Sequence, residues 1–170
     1  MDLFRVLAPV DCSADDLEGF RILIESGEEV DPRGLIDRIA NASKLVFRHG
    51  TDGEVIGIAA LKIPNPGYRQ DVFANAGSRR FSNCFAFELG WVFVVPKHRH
   101  MGIATEVVRS ALRAANEAAV FATTRTDNGA MRRLLEGLDF AAEGATYSSS
   151  RGPHSLQLFI RLAGNDNAVP

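Results

Sequence analysis

Residues 87–112, with the sequence FELGWVFVVPKHRHMGIATEVVRSAL, decide how this chain folds. The Val-Phe-Val run at 92–94 is typical of a buried β-strand, because β-branched and aromatic side chains suit a pleated surface. Pro96 then ends the strand, since proline donates no backbone hydrogen bond. The stretch is therefore predicted to form a strand, a tight turn at Gly102 and a helix. The helix is indicated by apolar residues at intervals of three and four: Ile103, Ala104, Val107, Val108, Ala111 and Leu112.

The turn between this strand and this helix is rich in basic residues. Lys97, Arg99 and two histidines come shortly before Gly102. A helix N-terminus attracts anions because it presents unpaired N–H groups and about half a positive charge, and glycine lets the backbone approach a ligand closely. The turn is therefore predicted to bind a phosphate-bearing ligand. A plain strand-to-helix turn that needs glycine only for its geometry is the alternative.

The same turn resembles a known family motif. The run RHMGIA at 99–104 is similar to the Arg/Gln-x-x-Gly-x-Gly/Ala signature of the GNAT superfamily, the Gcn5-related N-acetyltransferases. Val94 and Pro96 lie where that family usually has valine and proline, and residues 128–140 resemble its Asn…Leu-Tyr…Gly-Phe segment. The similarity covers about residues 85–140. It implies an α/β (α+β) fold with a mixed, mostly antiparallel central sheet, helices on both faces, and the element order βααβββαβαββ.

Length, composition and charge narrow the class of protein. A chain of 170 residues is expected to form one domain, which we predict over residues 1–163 with a flexible tail at 164–170. The net charge of −2 excludes a strongly basic nucleic-acid reader, and no apolar run has the roughly 18 residues that cross a bilayer. Cys12 and Cys84 imply no disulfide framework, and the histidines show no metal-ligand spacing. We expect a cytoplasmic protein without a metal, and a homodimer is an option.

The other elements follow from periodicity, capping residues and turn signals. Ser13 followed by Asp16 is close to a capping box and is predicted to begin a helix that ends at Gly27, and Asp31-Pro32 is predicted to begin a second helix. Residues 63–82 are interpreted as an insertion between neighbouring strands, with one short helix-compatible piece at residues 68–76. Strands are predicted over 3–9, 44–48, 54–62, 84–95, 119–124, around Tyr147 and over 156–162, with a further helix over 129–137.

The resemblance implies acetyl-CoA as co-substrate. In the family, backbone N–H groups of the bulged central strand hold the thioester carbonyl and the pantetheine amides, which assigns this role to Val92, Phe93 and Val94. Such fixed dipoles stabilise a developing oxyanion more than the ground state. Asn128 is expected to cap its helix and to contact the cofactor. The pyrophosphate is expected on the turn residues Arg99, His100, Met101, Gly102, Ile103, Ala104 and Thr105.

Glu88 is the candidate catalytic base. It precedes Arg99 by eleven residues, where histone-acetylating members of the family carry a catalytic glutamate on the same strand. An amine with a lysine-like pKa of about 10.4 must lose a proton near pH 7, at a cost of roughly 4–5 kcal/mol. A positioned general base contributes about 10²–10⁴-fold, which is of that size. The alternative is a carboxylate that pairs with an arginine or binds the amine without taking its proton.

Two positions depart from the family pattern. Leu135 stands where the family often has a tyrosine that protonates the departing thiolate, and Asp139 stands where it usually has a glycine. Tyr68 and Tyr147 are candidate replacements for that tyrosine, and a half-buried structural role is the alternative for each.

The insertion is the candidate region for substrate selectivity. Arg79 and Arg80 could hold a carboxylate or phosphate of the acceptor, or could simply form a solvated face. Cys84 is predicted to share a strand face with Glu88 and to be buried and inert.

We therefore predict an N-acetyltransferase that moves an acetyl group from acetyl-CoA to a primary amine by direct attack in a ternary complex. The acceptor is a small molecule or a peptide. A non-catalytic acyl-CoA-binding or sensing module of the same fold is the first alternative, suggested by Leu135 and Asp139. A structural or interaction domain whose glycine turn holds no ligand is the second.

Overall fold

Seven strands and five α-helices make up the described part of the chain, residues 3–164 of the computed structural model. The strands are β1 (Phe4–Leu7), β2 (Lys44–His49), β3 (Val55–Lys62), β4 (Phe87–Val94), β5 (Val120–Arg125), β6 (Ala141–Ser148) and β7 (Ser155–Arg161). The helices are α1 (Ala14–Ser26), α2 (Leu35–Ala40), α3 (Pro66–Asn75), α4 (Ile103–Ala114) and α5 (Gly129–Glu136). Short 3-10 turns lie at Pro9–Asp11, Ser82–Cys84 and Pro96–His98.

The strands form a mixed, mostly antiparallel sheet in the order β1-β2-β3-β4-β5-β7-β6. β4 and β5 pair in parallel, whereas β2 is antiparallel to β1 and β3, and β7 is antiparallel to β5 and β6. The predicted fold class is confirmed. The element order differs from the prediction at one place, because α3 is an additional helix between β3 and β4.

The start of α3 follows ordinary helix signals. The side chain of Asn65 accepts hydrogen bonds from the N–H groups of Gly67 and Tyr68, and Pro66 occupies the first helical position. An asparagine cap followed by proline satisfies the open N-terminal donors and presets the backbone. The helix-compatible piece predicted at residues 68–76 of this insertion is confirmed as a helix of ten residues, which begins two positions earlier than predicted, at Pro66, and ends at Asn75.

The chain forms two compact units, which share strand β4. The first unit comprises the described residues up to Ile63 together with Leu89–Ala114. Its core contains Phe20, whose ring meets those of Phe47 and Trp91 edge to face at centroid distances of 5.3 and 6.3 Å. Such aromatic pairs add roughly 0.5–1.5 kcal/mol each beyond the area they bury.

The two N-terminal helices confirm one prediction and correct another. The side chains of Ser13 and Asp16 form a reciprocal capping box at the start of α1, and Gly27 caps its end, as predicted. The second helix does not begin at Pro32. It begins at Leu35 because Gly34 adopts a left-handed conformation with φ +63°, which breaks the helical path and places the cap there.

The second unit comprises Pro64–Glu88 and the described residues from Ala115 onwards. Phe73 of α3 packs against Phe85 and Phe121 with ring centroids 5.0 and 5.5 Å away. Leu158 and Ile160 of β7 complete this core, and Tyr147 packs against it. The helix α3 is thus held to the β5–β7 part of the sheet by buried aromatic contacts.

Strand β4 is shorter at its start than predicted. It begins at Phe87, and Cys84 lies in the preceding 3-10 turn with its side chain exposed. The predictions that Cys84 is buried and that it shares a strand face with Glu88 are therefore wrong, because alternation applies only within an extended strand. Inside β4, Trp91 has φ +51°, which is unusual for a bulky residue and distorts the strand.

Two further predictions concern the ends of the chain and the membrane. Of the predicted tail at 164–170, all residues after Gly164 lie outside the described part. Within residues 3–164, no helix combines the length and the apolar character needed to cross a membrane.

Candidate functional site

The predicted anion-binding turn begins directly after β4 and is tied to it. The Nε atom of Arg99 donates a hydrogen bond to the carbonyl of Val94 at 3.1 Å, and the guanidinium lies 5.7 Å from the centre of the Phe93 ring. A hydrogen bond through Nε fixes the side chain while the terminal nitrogens keep further donors. Arg99 thus joins the end of β4 to the turn within the first unit.

The backbone of the turn curves sharply before α4. His100 has φ +64° and Gly102 has φ +80°, both in the left-handed region. The carbonyl of Gly102 accepts from the N–H of Glu106 at 3.1 Å, so this residue stands at the start of the helix. A Cβ built on Gly102 would meet no protein atom within 4 Å. Glycine is required here for its backbone conformation, and the space beside it is open.

The remaining turn residues differ in exposure. Met101 is 65% exposed, Ile103 is buried and packs inward, and Ala104 and Thr105 are half-buried in the first turn of α4. The first N–H groups of a helix have no partner within the helix. The turn can therefore offer backbone donors and the Arg99 side chain to an anion.

The strand residues predicted to act through their backbone lie next to the distortion in β4. Trp91, with its positive φ, precedes Val92 and Phe93, which are half-buried, and Val94, which is buried. Trp91 and Phe93 both pack against the core of the first unit. A left-handed conformation in a bulky residue costs roughly 1–2 kcal/mol and is most often found where the backbone has a function.

Glu88 lies at the other end of β4, in the second unit. It pairs with Phe121 of β5, and directly paired residues point to the same face of a sheet. Phe121 contacts Phe73 of α3, so Glu88 points to the face that α3 covers. The residue is only 4% exposed, and its Oε1 atom accepts a hydrogen bond from the hydroxyl of Tyr68 at 3.0 Å. The buried carboxylate is thus held by a phenol from α3.

The hydroxyl groups of both tyrosines in the chain lie near this carboxylate. Burial, the charge of Glu88 and the hydrogen bond to it raise the pKa of Tyr68 well above its usual range, and a hydrogen bond from Thr123 opposes this rise. Burial and the charge of Glu88 raise the pKa of Tyr147 to about 12. The Tyr147 hydroxyl is buried and has no hydrogen-bond partner among the described residues. Both phenols are therefore neutral at physiological pH.

The two arginines of the predicted insertion line a different feature of the second unit. Arg80 lies 3.6 Å from the carboxylate of Glu143, whereas Arg79 forms no ion pair within residues 3–164. Both belong to the wall of an open cavity of about 410 Å³ together with the exposed Cys84. Tyr68, Glu88 and Tyr147 are not among its lining residues.

A comparison with known families identifies the chain. Residues 17–140 match the Acetyltransferase (GNAT) family. The chain belongs to the GNAT acetyltransferase family. The match includes the turn before α4, the buried Glu88 and the segment from Asn128 to Phe140. No curated protein matches the sequence.

Solved structures of GNAT proteins share this fold at low sequence identity. An acyl-CoA N-acyltransferase from Pseudomonas aeruginosa is 13% identical, with a TM-score of 0.67 over 93% of this chain and 97% of that chain. The yncA protein of Salmonella typhimurium, solved with its cofactor acetyl-CoA, is 17% identical, with a TM-score of 0.62 over 98% and 96%. A mutant of spermidine N-acetyltransferase SpeG from Vibrio cholerae is 15% identical, with a TM-score of 0.61 over 94% of both chains.

The segment after β5 shows how this GNAT chain accommodates its departures from the motif. The side chain of Asn128 accepts from the N–H of Met131 at 3.1 Å and caps α5, as predicted. Leu135 is fully buried, so the position of the family tyrosine is an apolar core position here. Asp139 has φ +65°, a conformation that glycine adopts freely and that aspartate tolerates better than most residues.

The connection of Tyr68 to Glu88 is a feature that the sequence pattern does not predict. Sequence reasoning makes both tyrosines candidate proton donors to the thiolate but gives no link between Tyr68 and the carboxylate. Residues 68–76 are predicted to be helix-compatible, but Tyr68 and Glu88 are twenty positions apart, so no local spacing indicates the contact between them. Among the described residues, no group of three or more histidine, cysteine, aspartate or glutamate side chains could hold a metal ion.

Proposed function

We propose that the protein is an N-acetyltransferase that transfers the acetyl group of acetyl-CoA to a primary amine of a small molecule or peptide, by direct attack in a ternary complex. Membership of the GNAT family supports the reaction class. The observation that carries the proposal is the turn at Gly102, where φ is +80° and the position of a Cβ is open. The family motif falls on a backbone that can receive an anion.

The residues of the turn fit the pyrophosphate of acetyl-CoA. The first N–H groups of α4 and the Arg99 guanidinium supply positive potential, and a phosphate at a helix N-terminus is a stable arrangement. Arg99, His100, Met101, Gly102, Ile103, Ala104 and Thr105 form this part of the proposed cofactor site. Val92, Phe93 and Val94 would offer backbone donors beside the distortion at Trp91, and Asn128 would make a further contact.

When bound, acetyl-CoA supplies a thioester whose carbonyl carbon accepts the amine and whose sulfur leaves. The role of Glu88 is to take one proton from the acceptor ammonium. The C–N bond forms and the C–S bond breaks, so that the nitrogen gives up two protons in all. One proton goes to the Glu88 carboxylate and the other leaves with the thiolate as CoA thiol. Glu88 then returns its proton to the solvent.

Neither tyrosine suits the task of protonating the thiolate. An alkyl thiol of the cysteine type has a pKa of about 8.5. Burial and the charge of Glu88 raise the pKa of Tyr147 to about 12, so this phenol is a weaker proton donor than an ordinary tyrosine. Tyr68 is shifted in the same direction. We therefore infer that the proton taken up by the thiolate comes from the acceptor nitrogen and not from a tyrosine. The buried Leu135 agrees with this, because it replaces the tyrosine that often donates this proton in the family.

A paired experiment tests the proposal. Calorimetric titration with acetyl-CoA, CoA and dephospho-CoA measures binding, and thiol release with a panel of primary amines measures turnover. The proposal expects micromolar or tighter binding of acetyl-CoA and amine-dependent release of CoA. Binding without turnover for any amine would favour the acyl-CoA-sensing alternative. Absence of binding by a folded protein would favour a structural role for the turn.

A further inference from the structure

We propose that the Tyr147 hydroxyl binds the ammonium group of the acceptor beside Glu88, and that Tyr68 is a positioning residue that fixes the Glu88 carboxylate. This inference rests on the proposed function and extends it to the acceptor side of the reaction. All three residues lie in the second unit of the chain.

The sheet register and the α3 contacts bring the groups together. Glu88 pairs with Phe121, and Tyr147 packs against the buried cluster that contains Phe121 and Phe73. The Tyr68 hydroxyl reaches Glu88 from α3 at 3.0 Å, although the residue is 41% exposed overall.

The buried Tyr147 hydroxyl has no hydrogen-bond partner among the described residues. Buried polar side-chain atoms are nearly always hydrogen-bonded, and an unpaired buried hydroxyl costs free energy. The Tyr68 hydroxyl, in contrast, already donates to Glu88. An ammonium has three donors, so a single group can donate to the Tyr147 oxygen and interact with the Glu88 carboxylate at the same time.

The charge of the cluster selects a cation. Both phenols are neutral at physiological pH, so the Glu88 carboxylate supplies the negative charge of the cluster. A neutral alcohol of the same shape could accept or donate one hydrogen bond but would gain no attraction from the carboxylate. The site is thus expected to take primary ammonium compounds and to discriminate against hydroxyl analogues.

The test uses binding without turnover. The full chain is saturated with CoA, which cannot donate an acetyl group, and its melting temperature is followed with n-butylamine, tyramine or spermidine, and with n-butanol as the neutral match. The expected result is stabilisation by at least one amine and none by n-butanol. In Tyr147→Phe, the amine concentration needed for the same rise in melting temperature should increase about 10- to 100-fold, because a hydrogen bond to a charged group is lost. Thr146→Val, which removes an exposed hydroxyl from the neighbouring position on β6, should respond as the wild type does.

The melting temperature of Tyr147→Phe without amine distinguishes a ligand-binding role of the Tyr147 hydroxyl from a structural role. Tyr147→Phe removes a hydroxyl that has no partner among the described residues, so the melting temperature without amine should stay the same or rise. Equal amine responses of Tyr147→Phe and wild type would overturn the assignment of Tyr147. No response of the wild type to any of the amines, with CoA binding intact, would overturn the ammonium site while leaving the cofactor half of the proposed function standing.

Tyr68 has its own readout. In steady-state assays with an amine that is turned over, Tyr68→Phe should lower kcat about 10- to 100-fold and leave the KM for acetyl-CoA unchanged, because only the carboxylate loses a partner. An unchanged kcat, or a fall in kcat accompanied by an equal loss of affinity for acetyl-CoA, would overturn the positioning role.

Discussion

Replacing Gly102 with alanine separates the backbone cost of the turn from its role in binding. Gly102 has φ +80°, where a residue with a Cβ is strained by roughly 1–2 kcal/mol whatever space surrounds it. For a chain of this size, 1 kcal/mol corresponds to about 2–4 °C in melting temperature, so the variant should melt roughly 2–8 °C below the wild type. This part of the effect depends on the backbone alone.

The expected effect of Gly102→Ala on acetyl-CoA binding is larger than its effect on stability. The new Cβ would project into space where no protein atom lies within 4 Å, which the proposal gives to the pyrophosphate. Hydrogen bonds to charged groups contribute about 1.5–3 kcal/mol each. Loss of one such bond should weaken acetyl-CoA binding about 10- to 100-fold, and loss of two should weaken it further.

Gly34→Ala is the matched control. Gly34 also precedes a helix, has φ +63°, and has no atom within 4 Å of the place that an alanine methyl group would take, but it lies in a part of the first unit with no proposed ligand. Both variants should lose similar stability in thermal unfolding, and only Gly102→Ala should lose affinity in calorimetric titration with acetyl-CoA. Equal affinities for the two variants, within about twofold, would refute the assignment of the turn to the pyrophosphate.

Three further changes test other parts of the structure. Glu88→Gln should lower kcat about 10²–10⁴-fold near pH 7 and leave the affinity for acetyl-CoA unchanged, as measured by thiol release and calorimetry. The Arg5 guanidinium holds the pKa of Asp16 down at about 2, so the ion pair stabilises the fold above the unfolded-state pKa of about 3.8 and loses this effect as the pH falls towards 2. Asp16→Asn should therefore reduce the free energy of unfolding by about 1 kcal/mol at pH 7, given the partial exposure of the pair, and by steadily less from pH 5 to pH 3 in denaturant titrations; a constant difference would contradict the linkage. Gly144→Ala should cost about 2–4 kcal/mol in the same titrations, because its Cβ would overlap the backbone oxygen of Ala76 at a position with φ +68°.

Local sequence signals predict much of the fold because the physical cause lies within a few residues. Residues close together in sequence determine the helix caps and the apolar face of a helix. Examples are the capping box of Ser13 and Asp16, the cap at Asn128 and the apolar stripe of α4. The turn at Gly102 belongs to the same group, since its glycine follows a proline-ended strand and precedes an amphipathic helix. Such features can be predicted from one sequence.

Other features depend on contacts that a single sequence does not encode locally. The hydrogen bond from Tyr68 to Glu88 requires α3 to fold back over β5 and the start of β4, and the positive φ of Trp91 arises within an otherwise regular strand pattern. The predicted burial of Cys84 is wrong because strand alternation does not extend into a 3-10 turn. The late start of α2 follows from the left-handed Gly34, which overrides the proline signal.

Transfer of an isotopically labelled acetyl group tests the central claim most directly. The wild-type protein and Glu88→Gln would be incubated at pH 7 with acetyl-CoA labelled in its acetyl group and with the panel of primary amines, and the products would be identified by mass spectrometry. We predict labelled amide on at least one amine with the wild type, and a rate lower by at least about 10²-fold with the variant. Labelled amide formed at the same rate by both proteins would contradict the role of Glu88, and no labelled amide with any amine would contradict the proposed reaction.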